Sequence, residues 1–240
     1  MPEIEFADVT ADVVLKDVKN IHLSVYPPDG DVRIAAPTHM DMDVIRVFAI
    51  SKLPWIRREQ KKLREQRRES KRAYLPQESH YVWGERCLLN IEEHHGPSMV
   101  SCQPGQLTLH LKKKSTQEQV AKTLEDWYRA QVKAAVPALL DKWEPRLGVK
   151  VEGFYVRRMK TKWGSCNHEK KTIRLNSELA KKSPEFLEYI VVHEMAHIIE
   201  PTHNRRFIKL LNEHFPRWQF CRDELNRAPL SYVEWGKQTE

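Results

Sequence analysis

Short runs of alternating apolar and polar residues occupy much of the chain up to residue 114, and this period of two is typical of half-buried β-strands. Six runs predict strands, and they lie at residues 13–18, 21–26, 32–36, 88–92, 99–102 and 107–111. Turn-forming residues at 19–20 and 27–30 separate the first three runs, so we expect a small antiparallel meander there. Residues 42–72 interrupt this pattern with a helical period, apolar in its first part and almost purely charged in its second.

Helical patterns dominate the rest of the chain. The segment Ser115-Thr116-Gln117-Glu118 has the form of a capping box, and it opens a predicted helix that continues to about residue 143. A second predicted helix begins at Ser183-Pro184-Glu185, an N-cap followed by a proline and an acid in the first turn. We therefore predict an α+β protein. A mostly antiparallel β region over residues 1–114, which includes the helix at about 42–72, packs on an α-rich region over residues 115–240, with no repeat between them.

The second predicted helix carries the most specific chemical pattern in the chain, Val192-His193-Glu194-Met195-Ala196-His197. Residues four apart lie on one face of a helix, so His193 and His197 can direct their imidazoles at one zinc ion, at roughly 2.0 to 2.1 Å. Glu194 is rotated about 100° from His193, which leaves it able to hydrogen-bond a water on the metal. The pattern predicts a zinc hydrolase with Glu194 as its general base.

The alternative for this segment is an ordinary buried helix with two hydrogen-bonded core histidines. The helix is apolar on nearly every side between Phe186 and Ile199, as a buried helix is. Burial of an unpaired polar group costs about 1 to 3 kcal/mol, and an unpaired carboxylate costs more. A metal ion beside an open cleft therefore explains the two histidines and Glu194 more simply.

A catalytic zinc ion has three protein ligands and one open position, so a third ligand is needed. His203 is our first candidate, because it lies six residues after His197 and just past Pro201, which is expected to turn the chain back. Glu200 is the competing ligand, and it is otherwise a solvated carboxylate at the helix end. The spacing equals that of the metzincin signature, but Glu200 occupies the glycine position of that signature, so the turn must differ.

The segment before the helix supplies candidates for substrate binding. Residues 172–176 alternate like a strand, and an edge strand beside a zinc site can bind an extended peptide through main-chain hydrogen bonds. The substrate-binding candidates are Trp163, Gly164, Ser165, Ile173 and Leu175. The alternative is a plain hairpin with Trp163 in the core. Three further residues are eligible as transition-state donors, namely Tyr155, His214 and Tyr232.

Taken together, these motifs resemble the YgjP-like metallopeptidases, a family related to SprT and Spartan-type zinc proteases. The resemblance rests on five motifs in order, namely Lys162-Trp163-Gly164-Ser165-Cys166, Ile173-Arg174-Leu175-Asn176, Val192-His193-Glu194-Met195-Ala196-His197, His203 and Phe207. It implies a zincin-like metallopeptidase domain with an active-site helix. It also implies that His193, His197 and His203 bind one zinc ion per chain and that Glu194 is the catalytic base.

The chain departs from the family pattern on either side of the third histidine. Thr202 stands where the family usually has asparagine, and Asn204 stands where it usually has a small residue. We expect Asn204 to cap the next helix and Phe207 to pack that helix behind the site. These changes leave the ligand set intact and affect the geometry of the loop.

Composition narrows the class of protein. With 240 residues, of which 40% are hydrophobic, the chain can build one or two domains with an ordinary core. No apolar run approaches the roughly 18 residues that a membrane span requires, and the first residues lack the regions of a signal peptide. We therefore expect a cytoplasmic protein without a membrane partner. Its four cysteines have no CxxC spacing, so reduced thiols are expected rather than disulfides or a second zinc site.

A basic segment at residues 57–72 has nine cations against three acids, and this surplus nearly accounts for the formal net charge of +7. Such a helix end could bind the phosphate backbone of nucleic acid without sequence preference, with affinity that falls steeply with salt. The contact candidates are Arg67, Arg68, Lys71 and Arg72. The alternative is a solvated helix with interspersed ion pairs, which is the usual role of charge runs.

The sequence thus predicts a zinc metallopeptidase that hydrolyses peptide bonds of a polypeptide substrate by means of a zinc-bound water and Glu194. A small amide is the alternative substrate. Two other classes stay open, namely a DNA-associated protease or binding module that docks through the basic helix, and a non-catalytic scaffold stabilised by zinc. The sequence indicates no oligomeric state.

Overall fold

The computed structural model describes residues 2–26, 30–65, 72–93, 95–159 and 161–228. Within these ranges it has three β-sheets and six α-helices, which confirms the predicted α+β class. The chain divides into two compact units, unit 1 with residues 1–68 and 233–240 and unit 2 with residues 69–232. This division falls earlier in the chain than the boundary between the predicted β region and the predicted α-rich region, at residues 114 and 115. The predicted boundary between domains stays a prediction.

Unit 1 contains a four-stranded sheet of β1 (Glu3–Phe6), β2 (Val9–Lys16), β3 (His22–Tyr26) and β4 (Asp31–Pro37), in the order β1-β2-β4-β3. The central strands β2 and β4 are parallel, so the predicted antiparallel meander is wrong. These two strands carry most of the sheet's fully buried side chains, among them Val13 and Ile34, whereas β3 is only half-buried. The most apolar strands therefore occupy the centre, and β3 takes the edge.

Two helices follow this sheet, α1 (Met42–Ser51) and α2 (Leu53–Glu65). The Lys52 N–H bonds to the carbonyl of Ala49 and ends α1, and Pro54 lies in the first turn of α2, where its missing N–H costs nothing. The helical segment predicted over residues 42–72 is thus broken at Lys52, just before Pro54. Ile45 and Ile56 are fully buried in the core of unit 1.

Unit 2 begins with a second four-stranded sheet of β5 (Ser79–Val82), β6 (Glu85–Glu93), β7 (Met99–Gln103) and β8 (Gln106–Leu111). Its order is β5-β6-β8-β7, again with a parallel central pair and again followed by a helix. Each unit thus has the same order of four strands followed by a helix. Such a repeat preserves where apolar side chains fall rather than which residues they are, so it is difficult to detect along one sequence.

The helix after this sheet is α3 (Gln117–Leu147), which Thr116 and Gln119 cap reciprocally, one residue later than the predicted box. It ends at Gly148, whose φ of 67° is the left-handed conformation that glycine adopts at helix ends. The third sheet then forms from β9 (Gly153–Arg157), β10 (Gly164–Asn167) and β11 (Thr172–Asn176), in the order β10-β11-β9. Strand β10 pairs antiparallel with β11, and β9 pairs parallel with it.

A short 3-10 helix (Ser177–Lys181) leads into α4 (Pro184–Ile199), α5 (Arg205–His214) and α6 (Trp218–Arg227). Helix α4 contacts α3, β10 and β11, so it lies between a helix and the third sheet. Val191, Val192 and Met195 are fully buried there, which explains why the helix is apolar on nearly every side. None of the helices in the described residues is both long enough and apolar enough to span a bilayer.

Candidate metal centre

Three histidines from α4 and the turn after it meet at one point. The Nε2 atom of His203 lies 3.1 Å from that of His197 and 3.1 Å from that of His193. His193 and His197 are one helical turn apart on α4, and Pro201 lies within the turn that returns the chain to them. Among the described residues, these three are the group whose ligand atoms lie close enough to hold a metal ion.

The outer ring nitrogens of these histidines face groups that fix the orientation of the imidazoles. The Nδ1 atom of His197 lies 3.1 Å from the carbonyl oxygen of Glu200, so Nδ1 carries the hydrogen and Nε2 keeps its lone pair. The hydroxyl of Tyr189 lies 3.4 Å from the Nδ1 atom of His193. The ring of Phe207 stacks on His197 at 4.5 Å between centroids and contacts the other two rings edge-on.

The electrostatic environment keeps the imidazoles of His193 and His197 neutral. Burial, followed by the neighbouring His197 and His203, lowers the pKa of His193 to about 3. Burial also lowers the pKa of His197, against the opposing hydrogen bond to Glu200. Neutral imidazoles present the lone pairs that a metal ion requires.

The arrangement fits a transition-metal ion. A tetrahedral ion at the zinc–nitrogen distance would separate two ligand nitrogens by roughly 3.3 Å, close to the spacing of the Nε2 atoms here. Nitrogen lone pairs that face one another at such a distance repel unless a cation lies between them. The competing ligand, Glu200, has no place in this set, because its carboxylate accepts a hydrogen bond from Thr202 at 3.2 Å and only its backbone carbonyl supports His197.

Glu194 lies beside this centre and is 5% exposed. Burial raises the pKa of its carboxyl to about 8, and the positive charge of Lys162 opposes that rise. Strand β10 approaches the carboxylate closely at Gly164, since a Cβ atom there would lie 2.5 Å from Oε1 and 2.9 Å from Cγ of Glu194. Only a residue without a side chain allows the strand and this carboxylate to share the space.

The loop that leads into β10 is held by a buried amide. The Asn176 side chain is fully buried and donates to the carbonyl oxygens of Met159 and Lys162, each at 2.8 Å. Its Oδ1 accepts from the backbone N–H groups of Met159 and Glu178, each at 3.2 Å. This one side chain therefore fixes the backbone that carries Lys162 toward Glu194.

The substrate-binding candidates separate into two groups. Gly164 and Ser165 lie on β10, an edge strand of the third sheet, and Trp163 precedes it. Ile173 and Leu175 lie on the central strand β11, and their side chains are fully buried. The prediction that these two residues contact a substrate is therefore wrong. Alternation along β11 directs these two apolar residues at α4, and β10 covers the edge of β11 that a peptide would otherwise use.

The remaining candidates lie away from the histidines or outside the described residues. Tyr155 is 58% exposed on β9, and His214 ends α5, whereas Tyr232 falls outside the described residues. Arg67, Arg68 and Lys71 also fall outside them. Arg72 is described after α2, where it is half-buried, pairs with Glu78 at 3.3 Å and donates to the carbonyl of Ser79. Binding of nucleic acid stays a prediction.

The comparison with protein families finds one match that covers most of the chain. The model described as YgjP-like, metallopeptidase domain, matches residues 19–228. The chain belongs to this family. Membership in the YgjP-like family makes the chain a metal-dependent peptidase and implies a metal ion, which confirms the resemblance seen in the motifs. Of the described residues, the three histidines are the group that could hold such an ion.

Two solved structures are also similar to this YgjP-like chain. The metallopeptidase zymogen of Pyrococcus abyssi abylysin is 25% identical, with 38% of this chain and 90% of that chain covered at a TM-score of 0.35. The zymogen of Methanocaldococcus jannaschii jannalysin is 24% identical, with 39% and 92% covered at a TM-score of 0.33. The comparison with curated proteins found no significant match.

Several residues that shape the centre were not singled out from the sequence. Tyr189 lies four residues before His193, so helical spacing alone could have placed it beside that ring. Asn176 belongs to a recognised motif, but its bonds to the loop at 159–162 need the folded chain. The expected cap at Asn204 is confirmed, since its Oδ1 accepts from the N–H groups of Arg206 and Phe207.

Proposed function

We propose that the protein is a zinc-dependent peptidase in which His193, His197 and His203 bind one zinc ion and Glu194 is the general base. The observation that carries the proposal is the convergence of three imidazole nitrogens, with Nε2 of His203 3.1 Å from that of His193 and 3.1 Å from that of His197, beside the buried carboxylate of Glu194. Imidazole nitrogens are ligands that zinc favours, and three of them leave the open position of a catalytic site.

The residues of the chain would divide the reaction between them. When bound, zinc supplies Lewis-acid polarisation of the scissile carbonyl and makes water more acidic. Glu194 takes a proton from the attacking water and passes it to the leaving amine. Burial supports the role of base, because it raises the pKa of the Glu194 carboxyl above its ordinary value and so makes the carboxylate a stronger proton acceptor.

The substrate in this proposal is an extended polypeptide that pairs with the free edge of β10. Backbone hydrogen bonds along Gly164 and Ser165 would hold the peptide in register, as in β-strand addition. The absence of a side chain at Gly164 brings that edge within reach of Glu194. A cytoplasmic location is part of the proposal, and cell fractionation tests it.

The experiment combines zinc content with hydrolysis of an unfolded protein such as casein. We expect one zinc per chain and cleavage in the wild type, zinc without cleavage in Glu194→Gln, and loss of both in His203→Ala. Glu200→Gln is the matched control, because it changes a carboxyl in the same turn whose side chain stays outside the histidine cluster. Cleavage by Glu194→Gln, or full zinc content in His203→Ala, would overturn the assignment.

A further inference from the structure

The third sheet has a second side that the proposed reaction does not use. A cavity of about 740 Å³, here called the outer cavity, is lined by Arg157, Ser165, Thr172 and Arg174 and by the loop before β10. Cross-strand register puts Ser165 opposite Arg174, and Arg174 opposite Tyr155 of β9. Arg157 lies two positions after Tyr155 on β9, so it lies on the same face of the sheet. Because Ile173 and Leu175 point the other way into the core, the outer cavity lies on the face of the sheet away from α4.

The outer cavity is strongly basic. Arg157 and Arg174 form no ion pair or hydrogen bond through their side chains with any other described residue, whereas the charge of Lys162 already acts on Glu194. Arg158 also lines it, but Arg158 is paired with Glu125 and Glu178, each at 3.9 Å. Among the described residues of its lining there is a single carboxylate, Glu169. Two uncompensated arginines, Arg157 and Arg174, against one acid make a concave surface that attracts anions.

Strand β10 connects this surface to the proposed catalytic centre. A peptide that pairs with the free edge of β10 would lie about 4.8 Å from it, with side chains on alternating faces. Side chains opposite Gly164 and Cys166 would point toward Glu194 and α4. Side chains opposite Ser165 and Asn167 would point to the outer face, two strand spacings from Arg174. The side chains of Arg174 and of a glutamate on the peptide together span that distance, so a peptide residue opposite Ser165 would come within reach of Arg174.

We propose that the outer cavity selects polypeptide substrates with acidic side chains at alternate positions near the scissile bond. This inference rests on the proposed function, because it deepens the role of the same edge strand. Carboxylates match guanidinium groups in charge and in the geometry of two parallel hydrogen bonds, which favours Asp and Glu over their amides. Specificity of this kind changes the choice of substrate and leaves Glu194 and the histidines untouched.

The test uses synthetic, unstructured peptides built on one cleavable scaffold, with Glu, Gln or Lys placed singly at each position around the scissile bond. The wild type should cleave Glu peptides faster than Gln peptides by about three- to tenfold at alternate positions, as expected for partly exposed ion pairs. Arg174→Gln should reduce that ratio by about threefold, and Arg157→Gln with Arg174→Gln should abolish it. Arg174→Glu should shift the preference toward Lys.

The matched control is Lys170→Gln, which removes one positive charge from the same hairpin but outside the lining of the outer cavity. It should leave the Glu-to-Gln ratio unchanged and should cleave the Gln peptides at the wild-type rate. Equal cleavage of Glu and Gln peptides, or a preference that survives in the double variant, would overturn the inference. If Glu is preferred at consecutive peptide positions and not at every second position, the pairing of the peptide with β10 is overturned.

A binding assay distinguishes failure of this inference from failure of the proposed peptidase function. If the wild type cleaves no scaffold, binding of the same labelled peptides is measured by fluorescence anisotropy at low salt, where exposed charges are least screened. Tighter binding of Glu peptides that is lost in the double variant supports the outer cavity without catalysis. Equal binding of Glu and Gln peptides overturns the inference.

Discussion

The close approach of β10 to Glu194 can be tested by adding a single methyl group. In Gly164→Ala, the new Cβ atom would lie 2.5 Å from Oε1 of Glu194, 2.8 Å from Cγ2 of Ile190 and 2.9 Å from Cγ of Glu194. An ordinary contact begins near 3.4 Å, so the carboxylate oxygen must move by about 0.9 Å. The backbone at Gly164 is outside the left-handed region, so the cost arises from this clash.

Two magnitudes follow from that displacement. Overpacking of a buried site costs about 1 to 3 kcal/mol of unfolding free energy, which lowers the melting temperature by several degrees. Misplacement of a catalytic group by about 1 Å lowers the rate by up to roughly a hundredfold. The three atoms nearest to this Cβ atom belong to Glu194 and Ile190 and not to a histidine, so the metal content should stay at the wild-type value.

Gly153→Ala is the matched control, because Gly153 lies on β9, the other edge strand of the same sheet. Its Cβ atom would meet only Cγ2 of Thr172, at an ordinary 3.8 Å. Steady-state hydrolysis, metal content and thermal melting are measured on both variants. A Gly164→Ala enzyme with the kcat of the wild type would refute the reasoning, because it would show that Glu194 does not need its position beside β10. Loss of metal in that variant would show that the strand supports the histidines instead.

Three further predictions concern the groups around the centre. Asn176→Ala removes four hydrogen bonds of a fully buried amide, so we expect the free energy of unfolding to fall by about 2 to 4 kcal/mol in denaturant titrations. A stability equal to that of the wild type would contradict the role of Asn176 in anchoring the loop before β10. Tyr189→Phe removes the hydroxyl that faces His193 and should weaken zinc binding about tenfold in competition with a chelator dye, whereas unchanged affinity would exclude this support. Removal of the metal with a chelator should lower the melting temperature of the wild type by about 5 to 10 °C, for an ion present at roughly a hundred times its dissociation constant, and should leave that of His203→Ala unchanged.

The spacing of the histidines is local information, which is why the sequence could predict their convergence. His193 and His197 are related by one helical turn, and Pro201 marks the turn that returns His203 to them. The caps at Thr116 and Asn204 are equally local, and the predicted helix starts lie within about one residue of the observed ones.

Features that depend on pairing between distant segments were harder to predict. Strand β2 pairs parallel with β4 because both are more apolar than β3, and a meander pattern does not reveal that preference. Residues 172–176 were predicted as a strand, but its central place in the sheet depends on β9 and β10 on either side. The burial of Ile173 and Leu175 follows from that place, and so does the role of β10 as the free edge.

The span of chain that separates the parts of the centre has a consequence for how the protein assembles. The proposed metal ligands lie within residues 193–203, so closure of that loop costs little chain entropy and needs only α4 and the turn after it. Glu194 gains its close neighbour Gly164 only when β10, thirty residues earlier in the chain, has docked on α4. Ion capture can therefore precede completion of the catalytic cleft during folding. Metal content alone therefore does not report whether β10 has docked beside Glu194.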